Sequence, residues 1–452
     1  MQGLFHLLSA IACLAMACLV SPACAQAATP FAAQAEALVN DVVRDDAFSG
    51  AVLVARDGKP LLRQGFGLAS REWDLPNTAR TRFRIGSMSK AFTAAAVLKL
   101  ADEHKLRLDD PVGQYVRELP PSWQVVTLRQ LLAHTSGIPR YTALDDFDDV
   151  LVRLHHTPRQ IVDLVKNQPL EFTPGTRFKY DNTGYLLLGC VIEAASGLSY
   201  PDYLQQRLFA PLGLRDTAYD DGQRILPRMA QPYADSAGEV RKGPPVDMSN
   251  TGAAGAVTST VDDLLAWQRM LVAGRVLGPD STAAMFSDGG HGYGMGWYVT
   301  KRFGRTVYEH GGDLMGFHAM LAYYPDDKVS VIVLGNHGDG AVVEEIADAL
   351  ARLALGVAPR HRTVAVDSRL LPRLVGRYQL TPDMVLSVVQ DKGRLFARAT
   401  GQRQFEIHPE GPNRWFPKVI DAELRFDDAD PDHARYLILR QGGEDMKAPR
   451  ID

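Results

Sequence analysis

The feature that most narrows how this chain can fold is the placement of its strand-like runs. A pair lies near the start, others return only near residue 300, and helical patterns fill the space between. The early runs, 50–55 and 60–68, flank Asp57-Gly58, a dipeptide that tolerates the positive φ angles a two-residue hairpin demands. The later runs fall at 297–299, 307–309, 317–324 and 329–334. Between them, apolar residues recur at helical spacing over 89–104, 127–133, 158–167, 184–195 and 261–271. Further helices are expected over 31–45 and 341–355. Strands at both ends of a helical stretch can pair only if those ends meet in space. The fold class expected is therefore α+β, one antiparallel sheet flanked by helices with a mostly helical lobe between its halves.

Beyond residue 356 the texture changes. Residues 357–367 are polar and basic, contain Pro359 and show no periodicity, so they read as a linker. Short runs at 385–389, 395–399, 423–426 and 436–439 follow, separated by turn clusters such as Asp391-Lys392-Gly393 and Gln441-Gly442-Gly443. They predict a small all-β unit over 368–452, a barrel of lipocalin-like type or a sandwich. The division expected is thus 30–356, a linker at 357–367, and 368–452. With 46% hydrophobic and 23% charged residues the chain can bury a full core, which excludes a disordered or collagen-like protein. Its 49 basic residues against 53 acidic ones supply no basic field for nucleic acid.

Residues 1–25 contain no Lys, Arg, Asp or Glu, and their apolar stretch ends at Pro22 and Ala23-Cys24-Ala25. This is the pattern of a cleaved signal peptide, so a periplasmic or secreted location is expected. No other stretch approaches the length of a membrane span. Cys13, Cys18 and Cys24 belong to that leader, and Cys190 alone remains, which precludes an internal disulfide. Its apolar surroundings make Cys190 a core thiol.

Three segments carry chemistry. In Arg84-Ile85-Gly86-Ser87-Met88-Ser89-Lys90, Ser87 and Lys90 are three apart and share a face of the helix they open. A serine hydroxyl attacks only once its proton is taken, and a lysine in a dry pocket can take it, because desolvation disfavours its charge. In Lys179-Tyr180-Asp181-Asn182, an extended backbone would present Tyr180 and Asn182 to one side. In Tyr308-Glu309-His310-Gly311-Gly312, glycines at a strand end admit close approach by a substrate or another backbone. Ser89 lacks a lysine three residues later and reads as a helix-facing hydroxyl. His134 reads as part of a structural loop, Tyr141 as pocket lining or packing, and His155-His156 as too divergent to hold a metal.

The ordered set Ser-x-x-Lys, Tyr-x-Asn, His-x-Gly resembles the penicillin-recognising serine hydrolases, in particular the class C β-lactamase-like branch. That branch holds D-peptidases, carboxylesterases and class C β-lactamases. The stretches LRQLLAHTSGIP, GAVTSTVDDLLAW, YGMGW and GFHAMLAYYP look similar as well, and the likeness covers about 31–355, with 368–452 similar to the β-domain appended to some members. The resemblance implies that Ser87 forms an acyl-enzyme and that Lys90 and Tyr180 share the proton, the formal base left open. It implies that Asn182 binds Lys90 or the substrate amide, and that His310 and Gly312 line the substrate site. The oxyanion would sit between the backbone N–H groups of Ser87 and Asp313. It further implies no cofactor or metal, and a small-molecule or short-peptide substrate. His310 stands where class C β-lactamases carry lysine, which weakens carboxylate anchoring. The leading expectation is a secreted hydrolase of small esters or D-amino-acid amides and peptides. The alternatives are a β-lactamase or penicillin-binding DD-peptidase, and a non-catalytic binder of cell-wall fragments. Oligomeric state is not legible.

Overall fold

The computed structural model describes residues 30–236 and 239–452; the leader-like segment 1–25 lies outside them. Its longer helices are α1 (Pro30–Arg44), α2 (Ser89–Asp102), α3 (Asn182–Ser196), α4 (Val261–Val272) and α5 (Gly340–Leu355). The distant strands do meet. β1 (Ser49–Arg56) and β2 (Lys59–Phe66) join β3 (Tyr298–Arg302), β4 (Arg305–Leu314), β5 (Phe317–Tyr324) and β6 (Val329–His337) in one antiparallel sheet of order β3-β4-β5-β6-β1-β2. The β1–β2 hairpin turns on Asp57 and Gly58, whose φ angles of 49° and 71° are those expected from the dipeptide.

Side-chain alternation sorts this sheet into two interfaces. Ala51, Leu53, Ala55, Ile332 and Leu334 face the core shared with the helical lobe. Val52, Val54, Val331 and Val333 face α1 and α5 on the other side. With both faces covered, β1 and β6 are apolar almost throughout instead of alternating with polar residues. Helix α2 runs through the lobe buried on nearly every side, from Ser89 to Leu98 without interruption. Its first turn follows directly on the turn Gly86–Met88.

The C-terminal region forms a nearly closed eight-stranded antiparallel sheet. Its strands are β7 (Gly376–Thr381), β8 (Met384–Asp391), β9 (Arg394–Ala399), β10 (Phe405–Pro409), β11 (Arg414–Pro417), β12 (Ala422–Phe426), β13 (Tyr436–Gln441) and β14 (Glu444–Pro449), each beside the next. A bridge between Tyr378 and Arg450, with the Ile451 N–H donating to the Arg377 carbonyl at 2.9 Å, draws the first and last strands together. The barrel has its own apolar core around Leu374, Tyr378, Leu395, Trp415 and Leu437. Residues 357–367 carry no helix or strand. The barrel is held to the rest by Arg403, which reaches the carboxylates of Asp46 (3.1 Å) and Asp235 (3.0 Å), and by Lys418 on Asp41 at 2.5 Å.

Candidate active site

The turn Gly86–Met88 precedes α2, and it places Ser87 over the side chain of Lys90. Lys90 is fully buried, and its amine donates to Ser87 Oγ at 3.0 Å and to the carbonyl of Ala254 at 2.9 Å. Burial strips the amine of water and brings its pKa down to about 7, against an opposing pull from the charge of Asp181. Of the two partners expected for Asn182, Lys90 or a substrate amide, the hydrogen bond to Lys90 is not made. The Ala254 carbonyl takes that place, while Asn182 lines the cavity and donates to Thr142 Oγ1 at 3.3 Å. Ser89 accepts the N–H of Val257 at 3.0 Å, a fixture of the lobe.

Tyr180 is half-buried beside this pair, with its hydroxyl out of contact with solvent. Its hydroxyl faces Ser87 without a hydrogen bond of ordinary geometry, and Lys90 Nζ lies 4.8 Å from its ring centroid. Burial holds the phenol well above its usual range, so it is protonated at neutrality. Its ring packs against that of His134 at 4.3 Å. His134, in a left-handed conformation (φ 56°), is buried, and its Nδ1 accepts the backbone N–H of Asp181 at 3.1 Å. Burial and the charge of Lys90 keep this imidazole neutral. Its contact with Tyr180 is a packing one, in keeping with a structural loop.

Strand β4 closes the other side. It does not end at the glycine pair, as the sequence had suggested; it runs on to Leu314, because Asp313 and Leu314 still pair with His318 and Phe317 around a tight Met315-Gly316 turn. The reason for glycine at 312 is close packing. A Cβ there would stand 2.0 Å from the Ile85 carbonyl and 3.0 Å from the Ser87 nitrogen. Gly86, at φ 50°, fits equally tightly, and a Cβ would lie 2.9 Å from the Asp313 nitrogen. The strand therefore lies directly against the Ser87 turn, with the backbone of Asp313 beside it.

His310 is placed differently from the expectation. It sits mid-strand, buried and not among the residues that line the cavity, with Nε2 3.2 Å from the Tyr293 hydroxyl and Nδ1 2.6 Å from the Gly311 carbonyl. Burial, with Lys90 nearby, pushes its pKa down to about 3, so it is neutral. A cavity of about 300 Å³ opens above Ser87, between Tyr141, Asn182, Asn250 and Asp313, with Phe147, Val152 and Met315 as apolar wall. Among the described residues no Lys, Arg or His lines it, and none from the barrel does.

Three residues here escaped sequence reading. Asn250 ties the cavity wall together: its side-chain amide donates to the carbonyls of Val152 (3.2 Å) and Leu154 (2.8 Å), and its main-chain carbonyl accepts the Tyr141 hydroxyl at 2.6 Å. Tyr293, in the YGMGW stretch, supports His310. Asp181 is a buried carboxylate between two residues that were singled out. Only its place inside the Tyr-x-Asn segment could have flagged it.

Residues 35–356 match the model of the Beta-lactamase family, and the chain belongs to that family of serine hydrolases. It is similar to "Penicillin-binding protein 4*" of Bacillus subtilis, 29% identical over 89% of this chain and 95% of the relative. It is also similar to a D-aminopeptidase of Gluconobacter oxydans, 32% identical over 74% of this chain and 64% of that one. Among solved structures, an octameric penicillin-binding protein homologue from Pyrococcus abyssi superposes with a TM-score of 0.68 at 26% identity. That match covers 92% of this chain and 99% of the other, so it includes the C-terminal region.

Proposed function

We propose that the protein is an exported serine hydrolase that works through an acyl-enzyme on Ser87 and acts on small esters or D-amino-acid amides and peptides. The observation that carries this reading is the 3.0 Å contact between the Ser87 hydroxyl and a fully buried amine held near neutrality. In its free-base form Lys90 takes the Ser87 proton as Oγ attacks the substrate carbonyl. Negative charge then builds on the carbonyl oxygen, where the N–H groups of Ser87 and Asp313 would receive it. Such donors are typically worth ~10²–10³ in rate each. As the tetrahedral intermediate collapses, the proton on Lys90 passes to the leaving group, and the Tyr180 hydroxyl, which faces Ser87, is assigned as the relay. The same pair then activates the water that releases the acyl group.

The cavity lining favours esters and amides over β-lactams and C-terminal carboxylates. A neutral, buried His310 offers no charge to a carboxylate, and the described lining holds no other cation. A panel of short-chain aryl esters, D-amino acid amides, D-Ala-D-Ala peptides and nitrocefin tests this. Esters or D-amides are expected to exceed nitrocefin in kcat/KM at least tenfold, and the reverse order would replace this reading with the β-lactamase one. Export rests on the leader-like composition of residues 1–25. The N-terminal residue of the mature protein recovered from its native host checks it.

A further inference from the structure

We propose that His134 is a positioning residue that holds Tyr180 toward Ser87 by tethering the backbone on both sides of it. This rests on the part given to Tyr180 above.

Tyr180 lies in a segment without helix or strand, so no ladder of backbone hydrogen bonds sets where its ring points. The tethers come from one residue instead. The N–H of Lys179 donates to the His134 carbonyl at 2.9 Å, and the N–H of Asp181 donates to His134 Nδ1 at 3.1 Å. Between these two bonds the rings of His134 and Tyr180 pack with centroids 4.3 Å apart. His134 thus grips Lys179, Tyr180 and Asp181 in turn. The grip is itself anchored on either side. The Leu132 carbonyl accepts the Tyr185 hydroxyl at 2.8 Å, and the Thr135 carbonyl accepts the N–H of Gly175 at 2.7 Å.

Packing alone does not ask for this residue. A ring of the same size without polar atoms would serve the contacts to Tyr180, Tyr185 and Tyr293. Histidine instead buries an Nε2 that has no hydrogen-bond partner among the described residues, and an unpaired buried donor is costly. Among those residues the ring makes one hydrogen bond, the one from Asp181. That bond requires a neutral imidazole with its proton on Nε2, because a protonated Nδ1 would point a hydrogen at the Asp181 N–H. Burial and the charge of Lys90 keep the ring in this form. The backbone of His134 is left-handed as well, at φ 56°, a conformation uncommon for any residue but glycine. Strain of this kind persists where the surroundings over-determine a functional geometry, and here it falls on the residue packed against Tyr180.

Two substitutions separate the tether from the packing. His134→Phe keeps a ring of similar size and loses the acceptor. His134→Asn gives up the ring, keeps an oxygen where Nδ1 stands, and tolerates the left-handed backbone. In ester hydrolysis, His134→Phe is expected to lower kcat at least tenfold with KM within about threefold, the mark of a displaced reacting group with substrate binding intact. The kcat of His134→Asn is expected to exceed that of His134→Phe at least tenfold. Parental kcat in His134→Phe, or a His134→Asn protein of native circular dichroism as slow as His134→Phe, would overturn the inference. Nitrogen NMR of the full-length Ser87→Ala protein needs no substitution at 134 and decides the matter if His134→Phe does not fold. At pH 7 it is expected to show His134 Nδ1 bare and Nε2 protonated, and a proton on Nδ1 would refute the tether. Tyr180→Phe reads the underlying part separately: full turnover by that variant would remove Tyr180 from the reaction itself, whatever His134 does.

Discussion

At the residue scale the central object is one amine. Lys90 is held where water cannot reach it, between a hydroxyl and a carbonyl. Because burial lowers its proton affinity in the folded chain, the free amine is populated above about pH 7. Activity is therefore expected to rise with pH through about 7 and to level off above it. His310→Asn is expected to leave that limb in place, since His310 is already neutral there. A limb that disappears with His310 would reassign the base. Lys90→Met is expected to cut turnover at least ~10³-fold, the scale on which catalytic members acting as a unit fail. Its melting temperature should stay within a few degrees of the parent, because a methionine fills the space without a charge to desolvate. The Ser87–Lys90 contact was legible in the sequence, since three-residue spacing at a helix start fixes the shared face. Asp181 was not, because burial and field are properties of the packed core.

At the scale of elements, the site is a meeting of a turn and a strand. Sequence periodicity located α2 and α3 to within a few residues, because each is long enough for its apolar repeat to show, but of β4 it gave only 307–309. It did not show that β4 passes Gly312 without ending, nor on which side of that strand His310 falls. Strand length there is decided by pairing with His318 and Phe317 across the hairpin, a contact that only the folded sheet supplies. The four barrel strands not anticipated are four to six residues long, and two of them begin on a charged residue, which blurs a period of two. The contact at Gly312 gives a sharp expectation. In Gly312→Ala the new methyl group meets the Ile85 carbonyl at 2.0 Å, where only backbone can give way. The variant should lose about 1–3 kcal/mol of stability by denaturant unfolding, with a larger proportional loss in kcat as the Ser87 turn is pushed aside.

At the scale of the whole molecule, the barrel sits beside the hydrolase layers without entering the cavity. Arg403 bridges Asp46 and Asp235, and its guanidinium, with Arg71 on Asp46 and His337 on Asp235, lowers both carboxylates below the ordinary value of 3.8. A depressed carboxylate stabilises the folded arrangement above its unfolded value and loses that contribution as pH falls through the folded one. The attachment is therefore expected to hold at pH 5 and to weaken below about pH 4. Limited proteolysis within 357–367 reads this directly, with Arg403→Glu cleaved faster than the parent at neutral pH. Turnover of a small ester by Arg403→Glu should stay within about twofold of the parent. A tenfold fall would show that the barrel shapes the site.

Covalent chemistry at Ser87 underlies every step proposed, and intact-protein mass spectrometry during hydrolysis of a slow aryl ester reads it directly. The mass of one acyl group is expected on the parent, mapping to the peptide that contains Ser87, with neither adduct nor turnover in the Ser87→Ala protein. Undiminished hydrolysis by that variant, or an acyl group mapped to any other side chain, would contradict the account.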